Sequence, residues 1–283
     1  MKVLLAKTAG FCFGVDRAVK LTYQLLAEGR KVATLGPLIH NPQVVADLAE
    51  KGALTCEDLD DVPDGYEVVI RSHGVPARVY EKINTRGLAF HDATCPFVSK
   101  IHKLAEEAGK NGALLLVAGD AEHPEVQGIV GHTTGPVLVF AGEEELAALR
   151  PKIAQHESIT VVAQTTFQVQ AWEKCKTALK KWCTNAQIFD TICNATWARQ
   201  QEAEDLSQRC DHMIVIGGHH SSNTQKLLQV AARHTTAITV ETADELDRTW
   251  LQGAETVGVT AGASTPSSII EEVLNCMSEE IRD

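Results

Sequence analysis

Three cysteines stand where the chain passes from an apolar, strand-like run into a helix-like one. Cys95 lies in Phe90-His91-Asp92-Ala93-Thr94-Cys95-Pro96, and Phe189-Asp190-Thr191-Ile192-Cys193 repeats its pattern of an apolar run, an Asp and a Cys. Nearer the start, Val3-Leu4-Leu5-Ala6 leads less closely into Gly10-Phe11-Cys12. Thiolates are soft ligands. Three of them around one centre, with no fourth at a repeated position, fit a 4Fe–4S cluster with one iron left open. Such an iron acts as a Lewis acid toward a substrate oxygen while the cluster supplies electrons. Three buried structural thiols, or a zinc held by three cysteines, are the plainer alternatives.

A second group of residues suits an anion. Twenty-eight residues beyond the three cysteines stand His40, His123 and Ser221, and thirty residues beyond them stand Pro42, Glu125 and Asn223. His73, Ser222 and Ser264 fall at further strand ends. Helices beginning near Asn41, Pro124 and Ser222 add backbone N–H groups and favourable dipole ends. Neutral and protonatable donors of this kind suit a diphosphate without a P-loop or a metal, although a lone histidine is ordinarily a satisfied surface or core group. Glu125 is the only carboxylate at its repeated position. In a closed, partly dry pocket it would hold a proton near neutral pH and deliver it; otherwise it is a first-turn acid complementing the helix dipole.

These residues need a scaffold, and the chain repeats one. Gly36, Gly119 and Gly217 each lie twenty-four residues beyond a cysteine and close an apolar run. Farther on come Glu57-Asp58-Leu59, Glu144-Glu145-Leu146 and Asp244-Glu245-Leu246. Each copy then ends in small polar residues: Ser72-His73-Gly74, Gln164-Thr165-Thr166 and Ala261-Gly262-Ala263-Ser264. The common order of strand, turn and helix predicts three α/β units, 1–88, 89–185 and 186–283, each with a parallel sheet. In the first, strands are expected over 3–6, 32–35, 53–56 and 67–70, and helices over 15–27, 42–51 and 77–86. Helices are also expected over 98–108 and 198–206, beyond the second and third cysteines. Ligands of open parallel sheets bind beyond the carboxyl ends of the strands, where all these polar residues fall. Near-threefold symmetry would point those ends at one cavity.

Composition narrows the possibilities. A chain of 283 residues with 44% apolar residues buries substantial cores, and three units of roughly 90 to 100 residues match ordinary domains. No stretch approaches the roughly 18 apolar residues of a membrane helix. The first cysteine comes too early for a signal peptide, so a cytoplasmic location is expected. A net charge of −11 without a Lys/Arg run argues against a nucleic-acid partner. The remaining cysteines, Cys56, Cys175, Cys183, Cys210 and Cys276, form no CxxC pair and are expected to be buried or incidental thiols.

The motifs taken together resemble the 4-hydroxy-3-methylbut-2-enyl diphosphate reductase family of the non-mevalonate isoprenoid pathway. Besides the stretches above, Gly10-Phe11-Cys12-Phe13-Gly14-Val15, Leu38-Ile39-His40-Asn41, His123-Pro124-Glu125-Val126 and Ile192-Cys193-Asn194-Ala195-Thr196 carry the likeness, as do Ser221-Ser222-Asn223 and Thr260-Ala261-Gly262-Ala263-Ser264. It covers nearly the whole chain. It implies three pseudo-equivalent α/β domains in a trefoil around a central, oxygen-sensitive iron–sulfur cluster held by Cys12, Cys95 and Cys193. The substrate diphosphate would lie among His40, His73, His123, Ser221, Ser222, Asn223 and Ser264, with Thr165 holding the substrate hydroxyl and Glu125 donating the proton. The implied reaction is a two-electron reductive dehydroxylation to isopentenyl and dimethylallyl diphosphates, with ferredoxin or flavodoxin as electron donor. One departure stands out: Gly217-Gly218-His219-His220 precedes Ser221 where relatives more usually carry a Lys-Asn pair.

Two other readings compete. A trilobed three-cysteine cluster enzyme similar to quinolinate synthase would dehydrate a carboxylate substrate without net reduction. A binding protein without catalysis would need a fourth ligand, from Cys56 or Cys210, and would ignore added diphosphates.

Overall fold

The apolar runs become strands, and the segments between them become helices, in the computed structural model, which describes residues 1–279. From the N-terminus come β1 (Lys2–Leu5), α1 (Phe13–Ala27), β2 (Val32–Leu35), α2 (Pro42–Glu50), β3 (Leu54–Cys56), β4 (Glu67–Ile70), α3 (Ala77–Arg86), β5 (Phe90–Asp92) and α4 (Pro96–Lys110). Next are β6 (Leu114–Ala118), α5 (Pro124–Val130), β7 (Val137–Phe140), α6 (Glu143–Ile153), β8 (Ile159–Ala163), α7 (Val169–Trp182), β9 (Ala186–Ile188) and α8 (Asn194–Ser207). The chain continues with β10 (His212–Ile216), α9 (Ser222–Ala231), β11 (Thr236–Val240), β12 (Thr256–Ala261) and α10 (Ser267–Glu279). No helix among the described residues is long and apolar enough to cross a membrane.

The expected α/β class holds: the strands form three four-stranded parallel sheets. Their orders are β3-β2-β4-β5, β7-β6-β8-β9 and, read from its other edge, β11-β10-β12-β1. Each order is the same pattern. The strand preceding a cysteine, however, does not pair with the strands that follow it. β5 lies beside β4 with Ile70 opposite Asp92, β9 beside β8 with Val161 opposite Ile188, and β1 beside β12 with Leu5 opposite Val259. The strand over 3–6 therefore leaves the set over 32–70 with which it was grouped. A parallel neighbour requires a crossover connection. α3 supplies it between β4 and β5 and α7 between β8 and β9, whereas β1 pairs with β12 from the far end of the chain.

Helix starts also differ from expectation. α1, α4 and α8 begin directly after Cys12, Cys95 and Cys193 instead of three to five residues beyond them. The first turn has orphan N–H groups and need not be apolar. Pro96 at the first helical position and polar Asn194 are therefore tolerated there.

The sheets are buried on both faces, as parallel sheets generally are. In the β6 sheet, Leu114, Leu116 and Ala118 face Phe140, Leu146, Trp172 and Leu179, while Leu115 and Val117 face Ile101, Ala105 and Ile129. In the β10 sheet, Ile214 and Ile216 face Ile269, Ile270 and Val273, and Val215 faces Ala203, Leu227 and Val230. By compactness the chain divides into two units. One contains Met1–Asp16, Ile39–Asp47 and the residues from Asn194 onward; the other contains Arg17–Leu38 and Leu48–Cys193.

Candidate active site

In the larger unit, the residue at the centre of the polar groups is Glu125. It sits in the first turn of α5, only 1% exposed, and both carboxylate oxygens are held by one residue. Thr165 N–H donates to Oε1 at 2.6 Å, and Thr165 Oγ1 lies 2.7 Å from Oε2. Thr165 is placed by the end of β8, where Gln164 N–H bonds the Ala118 carbonyl at 2.8 Å. Gly119 lets α5 approach this turn: a Cβ there would stand 2.7 Å from Val126 Cγ2 and 3.1 Å from Gln164.

His123 caps the same helix. Its Nδ1 accepts the Glu125 N–H at 3.1 Å, which assigns the ring proton of the neutral form to Nε2. His73 meets it edge to face, with centroids 5.5 Å apart. The turn carrying His73 needs Gly74, whose φ is +71° and whose Cβ, if present, would lie 2.4 Å from His102 Cε1. His102 packs on His132 with ring centroids 4.0 Å apart, and its Nε2 finds no hydrogen-bond partner among the described residues. Burial drives the His102 pKa down to about 3 and lowers that of His132.

The cysteines share one piece of backbone geometry. Cys95 N–H donates to the Ser72 carbonyl at 3.0 Å, Cys193 N–H to the Thr165 carbonyl at 3.1 Å, and Cys12 N–H to the Ala263 carbonyl at 3.1 Å. Each bond joins the turn that follows the cysteine's strand to the turn that follows the neighbouring strand. All three thiols are half-buried, and each immediately precedes a helix. Around Cys95 the approach is fixed further. Arg17 donates to the carbonyls of Thr94 and Asp92 at 2.8 and 2.9 Å, and Tyr80 Oη lies 3.2 Å from Asp92 Oδ2. Burial foremost pushes the Tyr80 hydroxyl up to about 12.

The other thiols are placed differently. Burial raises Cys56, Cys183 and Cys210, and pushes Cys175 up to about 11. Cys56 and Cys210 sit in apolar clusters, the latter among Ala6, Leu206 and Met213. Cys276 is half-buried, with its Sγ 3.9 Å from the Ala243 carbonyl.

In the smaller unit, Ser264 Oγ donates to the His40 carbonyl at 3.1 Å, and Asn41 Oδ1 caps α2 by accepting from Val44 N–H at 2.9 Å. Ser221 caps α9, and Ser221, Asn223 and Ser264 are buried, while His40 and Ser222 are half-buried. Gly218 lies against the His40 carbonyl, 3.0 Å from where its Cβ would be. The unusual His219 is tethered outside this group: its N–H reaches Glu241 Oε1 at 2.5 Å and its Nε2 lies 3.0 Å from Glu245 Oε2. His220 is exposed. Sequence reading passed over Arg199 and Glu202, which bind the loop before Cys12. The available signal was α8 itself, whose inward positions Thr196, Arg199, Gln200 and Ser207 are polar where an apolar stripe is usual.

Thiols are soft donors of the kind an iron–sulfur cluster takes, and each of these three directly precedes a helix. The family model described as LytB protein matches residues 3–278. The 4-hydroxy-3-methylbut-2-enyl diphosphate reductases of Trichlorobacter lovleyi and Geobacter sulfurreducens are each 44% identical to this chain, covering 99% of it and 98% of their own lengths. Among solved structures, the E-1-hydroxy-2-methyl-but-2-enyl-4-diphosphate reductase of Plasmodium falciparum superposes with a TM-score of 0.91 at 27% identity, over 97% of this chain and 87% of that one. A second structure, of (E)-4-hydroxy-3-methyl-but-2-enyl diphosphate reductase, gives 0.71 at 37% identity over 99% and 100%. Matched along its length by that model and by relatives this similar, the chain belongs to the LytB family.

Proposed function

We propose that this protein reduces 4-hydroxy-3-methylbut-2-enyl diphosphate to isopentenyl and dimethylallyl diphosphates, with a 4Fe–4S cluster held by Cys12, Cys95 and Cys193. The observation that carries the proposal is the shared N–H bond of these three cysteines, each to a carbonyl just beyond the neighbouring strand. Three equivalent units around that cluster belong to the same proposal; the common strand order supports the threefold repeat, with β1, β5 and β9 joining sheets across the expected bounds 1–88, 89–185 and 186–283. When bound, the cluster would supply electrons and, at its open iron, Lewis acidity.

The chain's own residues have distinct tasks. His40, His73, His123, Ser221, Ser222, Asn223 and Ser264 would bind the diphosphate, aided by the N-terminal ends of α5 and α9. Thr165 Oγ1 would orient the substrate hydroxyl. Glu125, removed from water and bonded to the Thr165 hydroxyl, would hold a proton and release it toward the departing oxygen. Two electrons and two protons are consumed: the C–O bond breaks, oxygen leaves as water, and a C–H bond forms at either end of the allylic system. Ferredoxin or flavodoxin would deliver the electrons, in the cytoplasm.

The test is oxidation of a reduced viologen dye by anaerobically purified protein on addition of the substrate. Oxidation should require substrate and cluster together, and Glu125→Gln should lower it by roughly 10²- to 10⁴-fold while substrate still binds. No oxidation by protein with iron and sulfide at cluster stoichiometry would leave the non-redox dehydratase as the better account.

A further inference from the structure

The loop between β1 and α1 delivers Cys12, yet it contributes little to its own support. Ala9 N–H reaches back to the Ala6 carbonyl at 3.2 Å, but the other bonds come from elsewhere in the same compact unit. The Glu202 carboxylate accepts Lys7 N–H at 2.8 Å, Thr8 N–H at 2.9 Å and Thr8 Oγ1–H at 2.6 Å. Arg199, 5% exposed, donates through Nη2 to the Gly10 carbonyl at 2.6 Å and through Nη1 to the Ala195 carbonyl at 3.3 Å. Gly10 takes a φ of +104°, which a side chain would strain, and this conformation helps present its carbonyl to the guanidinium. Thus a buried cation spans a carbonyl two residues before Cys12 and another two residues after Cys193.

We propose that Arg199 and Glu202 are positioning residues for Cys12: from α8 they hold the loop that presents its thiol as a cluster ligand. The inference rests on the cluster assignment above. Charged hydrogen bonds to backbone are stronger than neutral ones, and a guanidinium stays charged at any working pH. With one internal bond, the loop would otherwise be held only where it leaves β1, by Ala6 N–H to the Val259 carbonyl, and at its far end, by Cys12 N–H to the Ala263 carbonyl. Partners one step behind metal ligands ordinarily govern how firmly the metal is kept.

The experiment compares anaerobically reconstituted wild type with Glu202→Gln, Arg199→Gln and Arg199→Lys. Iron and sulfide content, the rate of iron loss to a chelator, and the electron paramagnetic resonance of the reduced cluster are recorded. Thermal unfolding of the cluster-free proteins is the control. Glu202→Gln and Arg199→Gln should lose iron about 10- to 100-fold faster and show shifted resonance. Arg199→Lys should fall between them and wild type, because an ammonium keeps the charge and the bond to Gly10 but not the fork to Ala195. Should Arg199→Gln not fold, Glu202→Gln still decides. Wild-type iron loss and resonance in Glu202→Gln, or a fall in cluster-free stability with the resonance unchanged, would overturn the proposal. Wild type without iron and sulfide at cluster stoichiometry would instead overturn the cluster assignment, and this inference with it.

Discussion

His102 should make this protein acid-labile in a way that one substitution removes. The ring is 5% exposed, stacked on His132, and in contact with the places where side chains would stand on Gly74 and Gly128. A proton on it would have to be accommodated with no hydrogen-bond acceptor at Nε2. Its folded-state pKa, about 3, lies below the ordinary 6.5, so as pH falls the unfolded chain takes up the proton first. The stabilisation is therefore complete above pH 6.5 and is lost progressively from there toward pH 3. Between pH 7 and pH 5 these values correspond to a loss of about 2 kcal/mol. Urea unfolding of cluster-free protein measures it without interference from iron release. Glutamine at 102 carries no charge in this range, although the void it leaves should cost about 1–3 kcal/mol at every pH. The diagnostic quantity is thus the difference in slope: wild type should lose about 2 kcal/mol more than His102→Gln over those two pH units. Losses equal to within about 0.5 kcal/mol, the usual tolerance of such comparisons, would refute the argument from burial.

Other substitutions probe the site more directly. Gly74→Ala forces a left-handed φ on a residue with a Cβ and drives that Cβ into His102, so stability should fall by about 3 kcal/mol in the same urea assay; an unchanged midpoint would mean the His102 ring yields freely. Cys95→Ser should lower iron and sulfide content while the cluster-free protein unfolds nearly as wild type does, and full iron content would remove Cys95 as a ligand. Thr165→Val keeps the N–H bond to Glu125 but deletes the hydroxyl, leaving a buried carboxylate oxygen short of a partner at a cost of about 1–3 kcal/mol. Thr165→Ser should restore turnover where Thr165→Val does not; equal activity in the two would show that the hydroxyl is dispensable.

Much of this was legible in the sequence because local signals agreed. Each cysteine closes an apolar run and opens a helix, and the three copies keep that order, so the parallel sheets and the strand-end position of the polar groups followed from pattern alone. Sheet membership did not follow. Nothing in residues 3–6 distinguishes pairing with β2 from pairing with β12, because both neighbours are apolar parallel strands and the choice lies in long-range closure. Helix starts were placed late, since periodicity appears only once a helix has an inward face, whereas Pro96 and Asn194 begin their helices with no such need. Arg199 and His102 were missed for a related reason. A polar residue at an inward helical position resembles noise until the structure shows what lies beneath it.

The pairing that the sequence could not reveal explains how the site is wired. Had each cysteine's strand joined the sheet that follows it, Cys193 and Thr165 would belong to different sheets. Because β9 instead lies beside β8, the two residues occupy adjacent strand ends, and Cys193 N–H bonds the Thr165 carbonyl while the Thr165 amide and hydroxyl bond Glu125. The same displacement sets Cys95 beside Ser72, one residue before His73, and Cys12 beside Ala263, one residue before Ser264. Each proposed ligand is thus joined through a single peptide hydrogen bond to a segment bearing a proposed substrate group. A shift in one cysteine's backbone would be felt one residue away at His73 or Ser264, and directly at Thr165, the groups proposed to meet the substrate. This accounts for why the three turns share that bond although the residues accepting it, Ser72, Thr165 and Ala263, differ: the acceptor is the carbonyl, and the side chain is left to specialise.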